Sequence, residues 1–265
     1  MPIYLGNVEA KKIYLGNKLI YGDGSSTDSG GSSGGSDSGG SSGGDSGSSV
    51  TYPSNCVDLG LPSGLRWATC NLDTTDPTDI GYYFQFGSNA GFYANEAKYF
   101  TWADSPCNGG SNTFNTTAVT NWDMGCVNSL TFCINSTSEA DAAVGMWAEA
   151  GWRLPSYDDF VELYNSTTSY WVTKNSIKCL QFVNKTDSSK FIYLPAGGYI
   201  PSTNNTAALT GSGTTCAYWT SSVPTLGSAY ALAFMGTSSK KSVSSAFRSF
   251  NMPIRPVFDS SLAQS

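Results

Sequence analysis

The chain has 265 residues, with 14 Lys and Arg against 20 Asp and Glu, a formal net charge of −6 and no histidine. Its densest cationic spots are no more than the pairs Lys240-Lys241 and Lys11-Lys12, so the clustered cations that a phosphate backbone requires are missing and nucleic acid is excluded as a partner. The absence of histidine removes the commonest general base and metal ligand, and with them the His-dependent hydrolases and zinc enzymes.

Charged residues make up 13% of the chain and aromatic residues another 13%, against a usual charged share of roughly 25%. The surface must then be wetted by Ser, Thr, Asn and Gly. Such a composition suits contact surfaces, where Tyr and Trp supply area and small polar residues supply adaptable hydrogen bonds. The seven cysteines, Cys56, Cys70, Cys107, Cys126, Cys133, Cys179 and Cys216, contain no C-x-x-C pair. An odd, irregular set is not a disulfide framework. It reads as small buried hydrophobes with one or two bridges, and neither a metal nor another cofactor is expected. No apolar run approaches the ~20 residues of a membrane span, so membrane insertion is not expected. The opening Met-Pro-Ile-Tyr-Leu-Gly has no basic region and no long apolar run, so a secretory signal is not expected either.

Residues 1–23 contain a repeat: Ile3-Tyr4-Leu5-Gly6-Asn7 returns as Ile13-Tyr14-Leu15-Gly16-Asn17, and Ile20-Tyr21-Gly22 is a partial third copy. Each copy is a β-branched and aromatic strand former closed by a Gly-Asn turn signal. One or two such strands cannot bury a core alone. The segment is therefore expected to dock on another protein by strand addition, through Ile3, Tyr4, Leu5, Ile13, Tyr14, Leu15, Ile20 and Tyr21. A hairpin packed on its own body is the alternative. Residues 24–49 are Gly and Ser with one Thr and three isolated Asp. Such a coil buries nothing and spans on the order of 25–30 Å.

Residues 50–258 form the body, and 259–265 read as a polar tail. Phe191–Leu194 and Tyr230–Phe234 are the clearest predicted strands, the latter placing Tyr230, Leu232 and Phe234 on one face. Two helices are predicted. Ser138 caps the first, with Asp141 at its third position and Ala140, Val144 and Trp147 on one stripe. Ser156 caps the second, with Asp159 followed by Phe160, Leu163 and Tyr164. Residues 71–95 and 103–137 show little periodicity and read as loops. The fold class is α+β, with many short antiparallel strands, two helices and long loops.

Five blocks in order resemble the C-type-lectin-like modules of gut Bacteroidetes and their crAss-like phages, the Fibrobacter succinogenes major paralogous domain type. They are Val57-Asp-Leu-Gly-Leu-Pro-Ser-Gly-Leu-Arg-Trp-Ala-Thr-Cys-Asn71; Asp141-Ala-Ala-Val with Gly151-Trp-Arg-Leu-Pro-Ser156; Tyr193-Leu-Pro-Ala-Gly-Gly-Tyr199; Tyr218-Trp-Thr-Ser-Ser222; and Pro253-Ile-Arg-Pro-Val257. The resemblance covers nearly all of residues 55–258. It implies a C-type lectin fold with paired terminal strands, two flanking helices and a long-loop region bearing the binding face. Within these blocks Trp152 and Leu154 alternate inward, Pro155 ends the strand and Ser156 caps the next helix. Arg66, Arg153 and Arg255, each beside apolar residues, are expected to form structural ion pairs or to cap carbonyls.

The fold hosts several activities, so function must come from the site. Calcium-dependent lectins carry an acidic and amide cluster. Only Asn121-Trp122-Asp123 is similar, in a different order, and the six to eight oxygen ligands of calcium cannot be assembled. Formylglycine-generating enzymes need a redox-active cysteine pair and metal ligands that nothing here marks, so no enzyme is expected. In related modules the C-terminal stretch is the part diversified by retroelement mutagenesis and faces the receptor. By that resemblance Thr225, Leu226, Lys240, Lys241, Ser244, Ser245, Phe247, Ser249, Phe250 and Asn251 form the contact face. Phe247 and Phe250 are either its anchors or part of the core.

The expected function is a bacteriophage virion structural protein, a head fibre, capsid decoration or tail-associated receptor-binding protein. It would be assembled in the host cytoplasm, dock on other capsid or tail proteins through residues 1–22 and contact a host surface glycan or protein through the body. The alternative is a bacterial cell-surface adhesin or carbohydrate-binding module. Homotrimers are common among such fibres and decorations, although no heptad pattern specifies one.

Overall fold

The computed structural model describes residues 50–96, 141–147, 149–201, 208–224 and 230–263, with the backbone of short strands at 4–5, 8–9, 12–15, 18–22, 122–123 and 132–134. The chain divides into two compact units, Met1–Gly47 and Ser48–Ser265.

In the first unit β1 (Tyr4–Leu5) pairs antiparallel with β2 (Val8–Glu9), and β3 (Lys12–Leu15) with β4 (Lys18–Gly22). The innermost pairs are Leu5↔Val8 and Leu15↔Lys18. Each full copy of the repeat thus supplies one hairpin, and the residues between the paired positions are Gly6-Asn7 and Gly16-Asn17, a two-residue spacing suited to tight hairpins. In the second hairpin Ile13 pairs with Tyr21 but Tyr14 with Leu19. The register shift leaves Ile20 as the extra residue of a bulge. Of the predicted docking residues, Ile3 lies outside the described residues.

The second unit is mainly β, with two α-helices among the described residues. A four-stranded sheet runs in the order β11 (Trp152–Arg153), β20 (Val257–Phe258), β6 (Arg66–Ala68), β5 (Cys56–Asp58). Its late strand β20 is inserted beside the early strand β6, with Val257 opposite Trp67. A second sheet joins β12 (Thr167–Lys174), β13 (Ile177–Asn184) and β14 (Phe191–Pro195), and a third joins β15 (Cys216–Trp219), β17 (Tyr230–Gly236) and β18 (Lys241–Phe247). Two small sheets complete it: β19 (Asn251–Met252) with β7 (Tyr83–Gln85) and β8 (Gly91–Phe92), and β16 (Ser222–Val223) with β10 (Phe132–Ile134) and β9 (Trp122–Asp123). Every pairing is antiparallel.

The second predicted helix forms as expected. Helix α2 spans Tyr157–Ser166, with Ser156 as N-cap. The Ser156 hydroxyl accepts from Asp159 N at 3.2 Å, and the Asp159 carboxylate takes Ser156 N at 2.6 Å. This reciprocal arrangement satisfies two of the helix's orphan donors. The helix buries Phe160 and Leu163. Phe160 stacks on Phe234 at 4.7 Å and meets Trp67 edge-on at 4.9 Å. One aromatic side chain thus ties the helix to two sheets, and its burial is worth about 1.5–3 kcal/mol.

The first helix differs from expectation. Helix α1 covers Ala142–Met146, and its N-cap is Asp141, not Ser138. Asp141 Oδ1 accepts from Ala143 N and Val144 N, while Oδ2 reaches Leu154 N at 2.8 Å. The cap thus closes the first turn of α1 and ties it to the chain just past β11. Ser138 and Ala140 lie outside the described residues. Ala142 and Ala143 face the core, Val144 is half-buried and Trp147 is the C-cap.

Three other expectations are revised. Residues 71–95 are not a featureless loop: they contain β7, β8 and a short 3-10 turn at Ala94–Glu96. Strands of two or three residues are too brief to show a period, and Tyr83, Phe84 and Gln85 are all buried. Strand β17 is also buried on both sides, since Ala231 and Ala233 are as inaccessible as Phe234. It lies between β15 and β18, so its alternation is one of size rather than polarity. Nor is the 259–265 segment a free tail throughout. Asp259 N donates to Gly151 O at 2.8 Å, and Ala263 packs against the Trp152 and Phe258 cluster.

Candidate binding surface

Strands β17 and β18 place Tyr230 directly opposite Phe247, and their rings lie 4.6 Å apart. A tight turn follows β18, closed by Phe250 N donating to Phe247 O at 2.9 Å. This turn brings the Phe250 ring to 5.5 Å from Phe247. On its other side Phe250 stacks on Tyr199 at 5.5 Å. Tyr199 is held by two backbone bonds with Thr210, at 2.9 and 2.8 Å. The result is a connected run of four rings: Tyr230, Phe247, Phe250, Tyr199.

Tyr230 is 40% exposed and Phe247 41%, while Phe250 and Tyr199 are half-buried. Single apolar residues on a surface need no explanation, but a contiguous aromatic run is characteristic of an interaction site. The strip is braced from below. Arg248 is fully buried, its Nε donates to Tyr230 O at 3.1 Å, and its guanidinium lies 5.8 Å from the centre of the Phe86 ring. The turn carrying Phe247 and Phe250 is thereby fastened to the strand carrying Tyr230.

The predicted contact residues divide. Phe247, Ser244 and Ser245 are exposed on β18. Lys240 is exposed at the far end of that strand, where its N–H donates to Thr237 Oγ1. Lys241 is half-buried and donates to Ser169 Oγ at 2.6 Å, which commits its ammonium to the neighbouring strand β12. Ser249 and Asn251 are corrected: they are 7% and 1% exposed. Asn251 is a framework residue whose N–H and C=O pair with Ile200. Thr225 and Leu226 lie outside the described residues. Tyr199 and Tyr230 were missed as site residues, because four rings from three separate segments carry no shared spacing.

Arg255 and Arg153 act as scaffold. Arg255 is completely buried and donates to Asn71 Oδ1 at 2.8 Å, Ala68 O at 3.0 Å and Tyr193 O at 2.7 Å. Burial lowers its pKa. Arg153 bridges Asp159 at 2.6 Å and Asp259 at 3.2 Å. Arg66 approaches Asp58 at 3.6 Å and lies over the Tyr52 ring at 3.3 Å.

Cys56, Cys70, Cys179 and Cys216 are free thiols, so the expected bridges do not form among the described cysteines. Burial pushes Cys179 up to about 11 and raises Cys216 as well, which keeps both protonated and weakly reactive. Cys107, Cys126 and the Cys133 side chain lie outside the described residues, as do the side chains of Trp122 and Asp123. Among the described residues no group of three His, Cys, Asp or Glu could hold a metal ion, and no helix is long and apolar enough to cross a membrane.

No protein-family model, curated protein or solved structure matches the chain.

Proposed function

We propose that this is a bacteriophage virion protein, a head fibre, decoration or tail-associated protein, whose C-type-lectin-like body attaches to the host surface. The observation that carries the reading is the Tyr230–Phe247–Phe250–Tyr199 strip, exposed at Tyr230 and Phe247 and half-buried at its other two rings. Exposed rings held on a rigid hairpin lose little entropy on binding and are favoured as energetic anchors. The rest of the reading is supported by the order of parts: a repeat of short hairpins, a Gly/Ser segment, then the body. Open hairpin edges are suited to strand addition, and a Gly/Ser composition between dock and body suits a spacer for the binding face. Insertion of β20 beside β6 and the two helices support the lectin-like assignment.

Two experiments test it. Removing residues 1–22 should release the protein from purified particles; truncated protein that still co-purifies with them overturns the docking claim. Phe247→Ser should weaken attachment by at least about thirtyfold, the effect of losing an anchor worth roughly 2 kcal/mol. Protein recovered from the bacterial surface and never from particles would establish the adhesin reading instead.

A further inference from the structure

A second site lies away from the aromatic strip and shares no residue with it. Between the open edge of β5 and the turn joining β13 to β14 is a cavity of about 510 Å³, within the ~300–1,000 Å³ range of small-ligand pockets. Its polar lining is Asp58, Arg66, Asn184, Asp187, Ser189 and Lys190. Two carboxylates balance two cations, so the cavity carries no net charge.

The free atoms are of both kinds. Asn184 Oδ1 is committed within its own turn, accepting from Thr186 N at 2.7 Å, Thr186 Oγ1 at 2.9 Å and Asp187 N at 3.1 Å. This fixes the orientation of the amide and turns its NH₂ toward Gly60. Gly60 has φ +66°, and a Cβ there would lie 2.6 Å from Asn184 Nδ2, so a glycine is required where the two walls meet. Asp187 Oδ1 accepts from Ser189 N at 3.0 Å and from its hydroxyl at 2.6 Å, leaving the second oxygen unused. Asp58 Oδ1 takes Gly60 N at 2.9 Å, and its other oxygen meets Arg66 only at 3.6 Å. The Lys190 ammonium makes no hydrogen bond among the described residues.

The geometry points to this cavity as a binding site for a neutral, hydroxyl-rich ligand, a pyranose sugar. A hydroxyl donates once and accepts twice, so neighbouring hydroxyls can each accept from Arg66, Asn184 or Lys190 while donating to Asp58 or Asp187. A free anion would meet two carboxylates, and an apolar ligand would strand charged groups without solvent. A pyranose meets neither penalty. The site is independent of the host-attachment reading.

Saturation-transfer NMR on the full chain tests it, with methyl α-mannopyranoside, methyl α-glucopyranoside and N-acetylglucosamine as probes. At least one should receive saturation. Asp187→Asn and Lys190→Met, both at exposed positions, should each weaken that binding roughly tenfold, the loss of one charged hydrogen bond. Phe247→Ser should leave it unchanged. Three results overturn the proposal: no transfer to any of the sugars, equal affinity in both groove variants, or displacement of the sugar by sulfate. Loss of transfer in Phe247→Ser alone would move sugar binding to the aromatic strip and likewise end the case for this cavity.

Discussion

Replacing Asp141 by asparagine separates two opposed effects at one buried group. The residue is 1% exposed, and its two oxygens accept from Ala143 N at 2.9 Å, Val144 N at 3.4 Å and Leu154 N at 2.8 Å. Asparagine caps helices as well as aspartate, so the bonds to α1 survive. Its NH₂, however, would face the Leu154 N–H, and a buried donor without an acceptor costs about 1–3 kcal/mol. Against this stands the charge. Burial pushes the Asp141 carboxyl up to about 6, in opposition to the three N–H groups that favour the ionised form. A folded-state value above the unfolded one, near 4, means a contribution that is whole below about pH 4 and is lost as pH rises through about 6. By neutral pH the loss amounts to roughly 3 kcal/mol. The amide has no such dependence. The variant's penalty should therefore be largest in mild acid and shrink by on the order of 1 kcal/mol between about pH 5 and about pH 7. Urea unfolding of both proteins at the two pH values reads this directly, and subtraction removes other titrating groups such as Asp259. A penalty that stays level or grows with pH would refute the view that burial outweighs the backbone dipoles here.

Arg255→Met should destabilise the body by about 3–5 kcal/mol, because Asn71 and two carbonyls lose their donor in a dry site. Thermal unfolding checks this, and a loss under about 1 kcal/mol would count against it. Ser156→Ala should cost about 1 kcal/mol by leaving the Asp159 N–H without its cap; an unchanged urea midpoint would show that the capping box contributes nothing. Phe247→Ser should change stability by less than about 0.5 kcal/mol, as expected of an exposed side chain, while still reducing attachment. A large stability loss would instead place Phe247 in the core.

The parts legible in the sequence were those whose signals are local. The Ser156 capping box, the inward Trp152 and Leu154 and the strand at Phe191–Leu194 depend on neighbours within a few residues, and all appear as read. In the repeat, the strand formers that precede Gly-Asn lie in short strands, Tyr4–Leu5 and Lys12–Leu15. Short-range chemistry also set the carbonyl-capping and ion-pairing roles of the arginines, since a guanidinium among apolar residues must find partners.

Tertiary structure decided the rest, because contacts between distant segments leave no period. Asp141 has the spacing of an interior helix residue, yet it caps α1 and its second oxygen accepts from the distant Leu154 N. Ser249 and Asn251 look like their exposed neighbours in sequence, yet the turn after Phe247 carries them inward, where Asn251 pairs with Ile200. Tyr199, from an isolated bridge with Thr210 outside the sheets, stacks on Phe250, which that same turn brings to it. The composition suited an aromatic-rich surface, but which rings stay exposed was decided by the tertiary structure, where Tyr230 opens β17 opposite Phe247 at the end of β18.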